Sequence, residues 1–184
     1  MKTQTKFGKW GVMLATLLFT LSTSSCENNL IYEGEGDCGT YYNISFKYDY
    51  NMKYADAFAK EVKSVALFVF DTNDTLVERV TVADEAAVAA EGFSIPLELP
   101  AGNYELLAWA GLGNEESFSL LANVVEGQTK KEELQVMLNS SNGTSERDLK
   151  PLYHGAMALT VTSEPGTYNE TISLVKDTNV IRIL

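Results

Sequence analysis

Polar and apolar positions alternate with a period of two along much of the chain, the pattern of strands that bury one face. Ile44, Phe46 and Tyr48 alternate with Asn43, Ser45, Lys47 and Asp49. Val65, Leu67 and Val69 form one apolar face, and Ala66, Phe68 and Phe70 make the opposite face apolar as well, which predicts a central strand covered on both sides. Phe93, Ile95, Leu97 and Leu99 alternate with Ser94, Pro96 and Glu98. Pro96 has no amide hydrogen for a ladder, so this strand is expected at a sheet edge. The turn Pro100-Ala101-Gly102-Asn103 leads into the apolar run 104–112, and Leu134, Val136 and Leu138 form another short run. After the polar loop Asn139–Glu146, the residues Tyr153, Met157, Leu159 and Val161 mark a strand closed by Pro165-Gly166; Ile172–Lys176 and Val180–Leu184 follow. Only Met52–Glu61 and Ala83–Ala90 read as helical. About 7–9 short strands with turn residues between them predict an all-β sandwich.

The first 25 residues follow a different pattern. Lys2, Lys6 and Lys9 precede an apolar stretch from Trp10 to Leu21, and the small residues Ser22-Thr23-Ser24-Ser25 then meet Cys26. This is the layout of a secretory signal. Its apolar stretch is about a dozen residues, short of the roughly 20 that a bilayer-spanning helix needs. A cysteine at the cleavage point predicts a lipoprotein, with a lipid carried on Cys26. Such signals usually place Leu three residues before the cysteine; here that position is Thr23, and the nearest Leu is Leu21. Thr23 and Ser25 also suit the ordinary signal peptidase, which would leave a soluble secreted protein with Cys26 paired to Cys38, the only other cysteine.

Composition narrows the class. The net charge is −11; without Lys2, Lys6 and Lys9 the remaining 11 basic residues face 25 acidic ones, a net charge of −14. Such a surface repels nucleic acid and anionic headgroups, so membrane contact is expected through an acyl chain. Residues 26–40 carry the acidic, Gly-rich run Glu27–Thr40 and read as a flexible tether. Residues 41–184 then form the sandwich. The terminal alternation Asn179–Leu184 stops without a cap or turn, which predicts either a truncated chain or a strand completed by something else.

Candidate chemistry is sparse. The single histidine, His154, needs a positioned partner to act as a base and is expected on the solvent side. One His and two Cys do not make a usual zinc site, and Glu33-Gly34-Glu35-Gly36-Asp37 lacks the ligand spacing of a calcium loop. Gly111-Leu112-Gly113 has no third Gly and no following helix, so it reads as a turn. Trp109 and the tyrosines are candidates for stacking on sugars, although aromatics in a sandwich more often belong to its core. No enzyme and no cofactor are expected.

The blocks Phe46-Lys47-Tyr48-Asp49-Tyr50-Asn51-Met52, Ala55-Asp56-Ala57-Phe58 and Val62 through Asp71 are similar, in order and spacing, to the FimB/Mfa2 family of fimbrial anchor proteins of Bacteroides and Porphyromonas. Leu99-Pro100-Ala101-Gly102-Asn103-Tyr104, Leu152-Tyr153-His154-Gly155 and Leu174 through Asn179 continue the resemblance to the C-terminus. It implies a transthyretin-like β-sandwich in an outer-membrane lipoprotein that holds the base of a fimbria and limits its length. It also implies fimbrial shaft subunits as partners, Cys26 as the acylated residue, no catalytic residues, and a second β-domain beyond the point where this chain stops. The alternative is a surface glycan-binding module that uses Trp109 or exposed tyrosines. A pilin is disfavoured, because such pilins are cut after an Arg near the first strand and no Arg precedes Arg79.

Overall fold

The computed structural model describes residues 39–178 except 53, 113–116, 122 and 141–147. The signal segment, Cys26, the acidic cluster 33–37, Cys38 and the terminal strand 179–184 lie outside the described residues. The described residues belong to one unit, Cys38–Leu184. They contain ten strands, two one-turn helices and a 3-10 turn, and the fold is an all-β sandwich.

Strand β1 (Thr40–Lys47) buries Tyr42, Ile44 and Phe46 and exposes its polar alternates more fully. It lies in a three-stranded sheet with β4 (Ser94–Leu97) on one side and β9 (Gly166–Ser173) on the other. The β1–β9 pair is parallel and in register from Thr40↔Gly166 to Lys47↔Ser173. The second sheet has the order β10-β8-β5-β2-β3, with β2 at Val65–Phe70, β3 at Leu76–Val82, β5 at Gly102–Ala110, β8 at Tyr153–Val161 and β10 at Val175–Lys176. Between the sheets one core gathers Ile44 and Phe46 of β1, Leu67 of β2, Leu106 of β5, Leu159 of β8 and Ile172 of β9.

The outer face of the second sheet is covered as well. Phe68 and Phe70 of β2, with Leu107 and Trp109 of β5, pack against Leu120, Val124 and Leu134. These last three come from the β5–β8 connection, which carries the hairpin β6 (Phe118–Leu120) and β7 (Val136–Leu138). All six residues of β2 are therefore buried, as its two apolar faces predict.

One strand is added to the expected set and two expectations are corrected. Strand β3 escaped the period-two reading because a bulge between Val69 and Phe70 changes which face it presents. Leu76 joins the outer cluster, while Glu78, Val80 and Val82 fall on the inner side, with the Glu78 carboxylate at the end of that stripe. Strand β9 begins at Gly166, not near Ile172, because Tyr168 and Glu170 face inward at an edge where polar groups are tolerated. The helices shrink to α1 (Phe58–Glu61) and α2 (Glu85–Val88). Residues 48–52 and 54–56 are not helical, and Tyr54 takes φ +52°, outside helical backbone.

Glu78 bears on pH dependence. Burial pushes its carboxyl above the usual carboxylate range, and the nearby Glu126 and Glu98 push it the same way. A folded-state pKa above the unfolded one means that its contribution is best below the unfolded pKa and declines as pH rises through the folded one. Glu78→Gln is therefore expected to raise Tm at pH 7 by ~1–3 °C and to lose that gain near pH 4, as read by thermal scans at both pH values. An equal gain at both pH values would place the effect in packing and not in charge.

Candidate functional site

The two residues singled out for chemistry meet across the second sheet, in the pair Trp109↔His154. Their rings lie 5.6 Å apart and tilted by 41°. His154 Nδ1 is 2.8 Å from Asp177 Oδ1 and 3.0 Å from Oδ2. A carboxylate only accepts, so Nδ1–H donates. The partner that His154 needed thus exists, in the segment after β10, which alternation along β8 does not reveal. No hydroxyl, thiol or amine nucleophile is bonded to His154 among the described residues, and the pair's visible work is to pin residues 175–178 against β8. Trp109 is half-buried against the outer cluster, and its indole N–H is buried without an acceptor among the described residues. Trp109 therefore offers no exposed platform to the glycan-binding alternative, whose other candidates, exposed tyrosines, include Tyr50 and Tyr54. No group of metal-ligating side chains occurs among the described residues. Gly111 takes φ +97°, and a Cβ there would collide with the Pro151 carbonyl oxygen, so the turn read at this position needs glycine.

A sandwich of two open sheets has edges, and these differ in how their backbone groups are spent. On β4, the pairing Tyr42↔Leu97 and Ile44↔Ile95 turns Pro96 outward, so the residue without an N–H sits on the free side. On β3, the Arg79 amide donates to Glu126 Oε1 (2.9 Å), the Leu76 amide to the Thr129 carbonyl (2.9 Å), and the Leu76 carbonyl accepts from Gly127 (2.7 Å). On β8, Tyr42 reaches across from β1. Its hydroxyl donates to the Thr160 carbonyl (3.2 Å) and accepts from the Thr162 amide (3.1 Å). The other end of β8 is closed by β10 and by the Asp177 amide on the Leu152 carbonyl (2.8 Å).

Strand β9 differs. The Gly166 amide on Gly39 and the Leu174 amide on Lys47 fix its parity: even-numbered residues face β1 and odd-numbered ones face away. Thr167, Asn169 and Thr171 consequently point their backbone N–H and C=O groups outward, and no partner for these groups occurs among the described residues. Glu170 faces inward yet remains exposed, an edge-protecting charge that removes no backbone donor. The long open edge of the described sandwich is β9.

Residues 35–184 match the family described as fimbrillin-A associated anchor proteins Mfa1 and Mfa2. The chain belongs to that family. Among solved structures, a candidate polysaccharide-binding protein from Bacteroides thetaiotaomicron superposes with a TM-score of 0.67 at 27% identity, over 74% of this chain and 47% of that one. A candidate adhesin from the same organism gives 0.64 at 33% identity, over 77% and 47%. The fimbrial anchor protein Mfa2 from Porphyromonas gingivalis gives 0.62 at 16% identity, over 76% and 51%, a likeness of fold alone. No curated protein matches the chain. The chain spans about half the length of each of these solved relatives. The family is one of fimbrial anchor proteins and not of enzymes. Among the described residues no helix is long and apolar enough to cross a membrane.

Proposed function

We propose that this protein anchors the base of a fimbria at the outer membrane. In this reading a lipid on Cys26 holds the chain to the membrane, residues 26–40 act as a tether, and the sandwich of residues 41–184 contacts a shaft subunit. The match to the anchor family across residues 35–184 carries it. The open β9 edge supports a contact made by strand addition, in which a partner strand pairs with the outward groups of Thr167, Asn169 and Thr171. Each such backbone hydrogen bond contributes ~0.5–1.5 kcal/mol net, so a short ladder makes a firm joint without any catalytic group. An occupied edge at the base would also cap further growth there, which fits a role in limiting fimbrial length.

The direct test is affinity purification of the tagged full-length gene product from outer membranes. Recovery of a fimbrial shaft subunit is expected, and its absence ends the anchor reading. The contact is tested by Asn169→Pro, which removes an outward N–H and the exposed side-chain bond from Asn43 (3.2 Å) and leaves the β1 backbone ladder intact. Subunit recovery is expected to fall severalfold while Tm stays within ~2 °C. Undiminished recovery would move the contact away from β9.

A further inference from the structure

Side chains along β9 alternate between the two faces of its sheet, and the inner row reads Tyr168, Glu170, Ile172. The register sets each beside a buried residue of β1: Tyr168 beside Tyr42, Glu170 beside Ile44 and Ile172 beside Phe46. Tyr168 stacks on Tyr42 with ring centroids 5.0 Å apart, and Ile172 is fully buried. Between these two apolar residues the Glu170 side chain is exposed, because no strand lies beyond β9 among the described residues. Its backbone carbonyl accepts from Ser45 Oγ (2.9 Å), but its carboxylate has no hydrogen bond or ion pair among the described residues. Strand β9 itself carries no Lys or Arg, and Lys47, the one cation of β1, is held by Asp49 at 2.8 Å.

A strand added to β9 places one of its side chains beside Glu170 on this inner face, at the ~4.5–5.5 Å spacing of cross-strand neighbours. It also strips water from the carboxylate. An apolar residue at that place leaves the charge covered and unpaired, an acidic one adds repulsion, and a Lys or Arg neutralises it. The next inward residues on either side fall beside Tyr168 and Ile172, where apolar side chains fit. The opposite face of β9 is polar and already linked to β1: Asn43 Nδ2 donates to Asn169 Oδ1 (3.2 Å), and the Ser45 and Thr171 hydroxyls share a hydrogen bond (2.7 Å). The charge that keeps this edge from pairing indiscriminately is therefore satisfied by one kind of strand, which is how a repulsive element gives specificity. The net charge of −11 favours the approach of a strand that brings a cation.

We propose that Glu170 selects the strand that β9 accepts: an extended segment whose inward residues run apolar, cationic, apolar, with the Lys or Arg opposite Glu170. The inference rests on the strand-addition reading of the β9 edge and names what that edge takes. It is tested by titrating the purified full chain with acetylated and amidated peptides Thr-Val-Thr-Xaa-Thr-Val-Thr, in which the central residue is Lys, Gln or Glu. Binding is read from the backbone amide resonances of Thr167, Asn169 and Thr171. At low salt the Lys peptide is expected to bind at least ~fivefold more tightly than the Glu peptide, with the Gln peptide between them. Glu170→Lys is expected to reverse that order and Glu170→Gln to flatten it. The side chain is exposed, so Tm is expected to hold in both variants. A preference for Lys that persists in Glu170→Gln belongs to the general negative field of the chain and overturns the proposal. Equal binding of the three peptides, all weakened by Asn169→Pro, overturns the selection by Glu170 and leaves the β9 contact standing. No shift of the three amides with any peptide overturns both the selection and the strand-addition reading.

Discussion

Gly155→Ala is expected to destabilise the sandwich by ~2–3 kcal/mol, and Gly155→Val by more, through overpacking at a junction that has no room. A Cβ at this position would lie 2.6 Å from the Ser173 carbonyl oxygen, 2.7 Å from Ile172 Cγ2 and 3.1 Å from Leu174 Cδ2. Two of these neighbours are fully buried core side chains, and the first is backbone at the point where the chain leaves β9 in one sheet to become β10 in the other. The Leu174 amide is tied to the Lys47 carbonyl at 2.8 Å and β10 is paired to β8, so the crossover cannot simply swing aside. The measurement is Tm by circular dichroism, with a fall on the order of 10 °C for Gly155→Ala. Ala156→Val, one residue on and on the exposed face of the same strand, is the control and should leave Tm nearly unchanged. A Tm for Gly155→Ala within 2 °C of the parent would show that the crossover yields, and would remove the close approach as the reason for glycine.

The second large effect concerns Cys26. If Cys26 carries a diacylglyceryl group and an acylated amine, Cys26→Ala should abolish incorporation of labelled palmitate and move the protein from the membrane fraction to the soluble one. The size follows from chain counting: one acyl chain binds a bilayer only marginally, at roughly 10⁴ M⁻¹, whereas two or more hold it stably. Cys38→Ala should leave both label and fractionation untouched. The alternative gives an opposite pattern: ordinary cleavage and a Cys26–Cys38 disulfide would leave a soluble, unlabelled parent protein whose non-reducing mobility changes in either variant. Loss of membrane attachment with a folded sandwich would also separate anchoring from subunit binding, since the β9 edge is built without Cys26.

Strands β1, β2, β4, β5 and β8 are legible in the sequence because each presents a steady face, and β2 is legible as interior because both its faces are apolar. The edge position of β4 follows from Pro96. Strand β3 is not legible: the bulge beside Phe70 breaks the alternation, and Glu78 ends the stripe. Met52–Glu61 reads as helical, yet only Phe58–Glu61 is helix, because Asn51 and Asp56 spend their side chains on backbone groups before it, a competition that such residues often win against helix.

The sequence by itself determined the class of molecule: an acidic, all-β chain with blocks ordered as in an anchor family. Each of these rests on local pattern, which a linear string carries in full. Only the tertiary structure decided which surfaces are open. Tyr42 caps the Thr160–Thr162 end of the β8 edge, Glu126 takes the Arg79 amide of β3, and His154 finds Asp177, all through contacts between residues far apart in the chain. Backbone donors are present in every strand. Whether one is spent inside the fold or left for a partner depends on what the folded chain brings beside it, and for β9 nothing among the described residues does so.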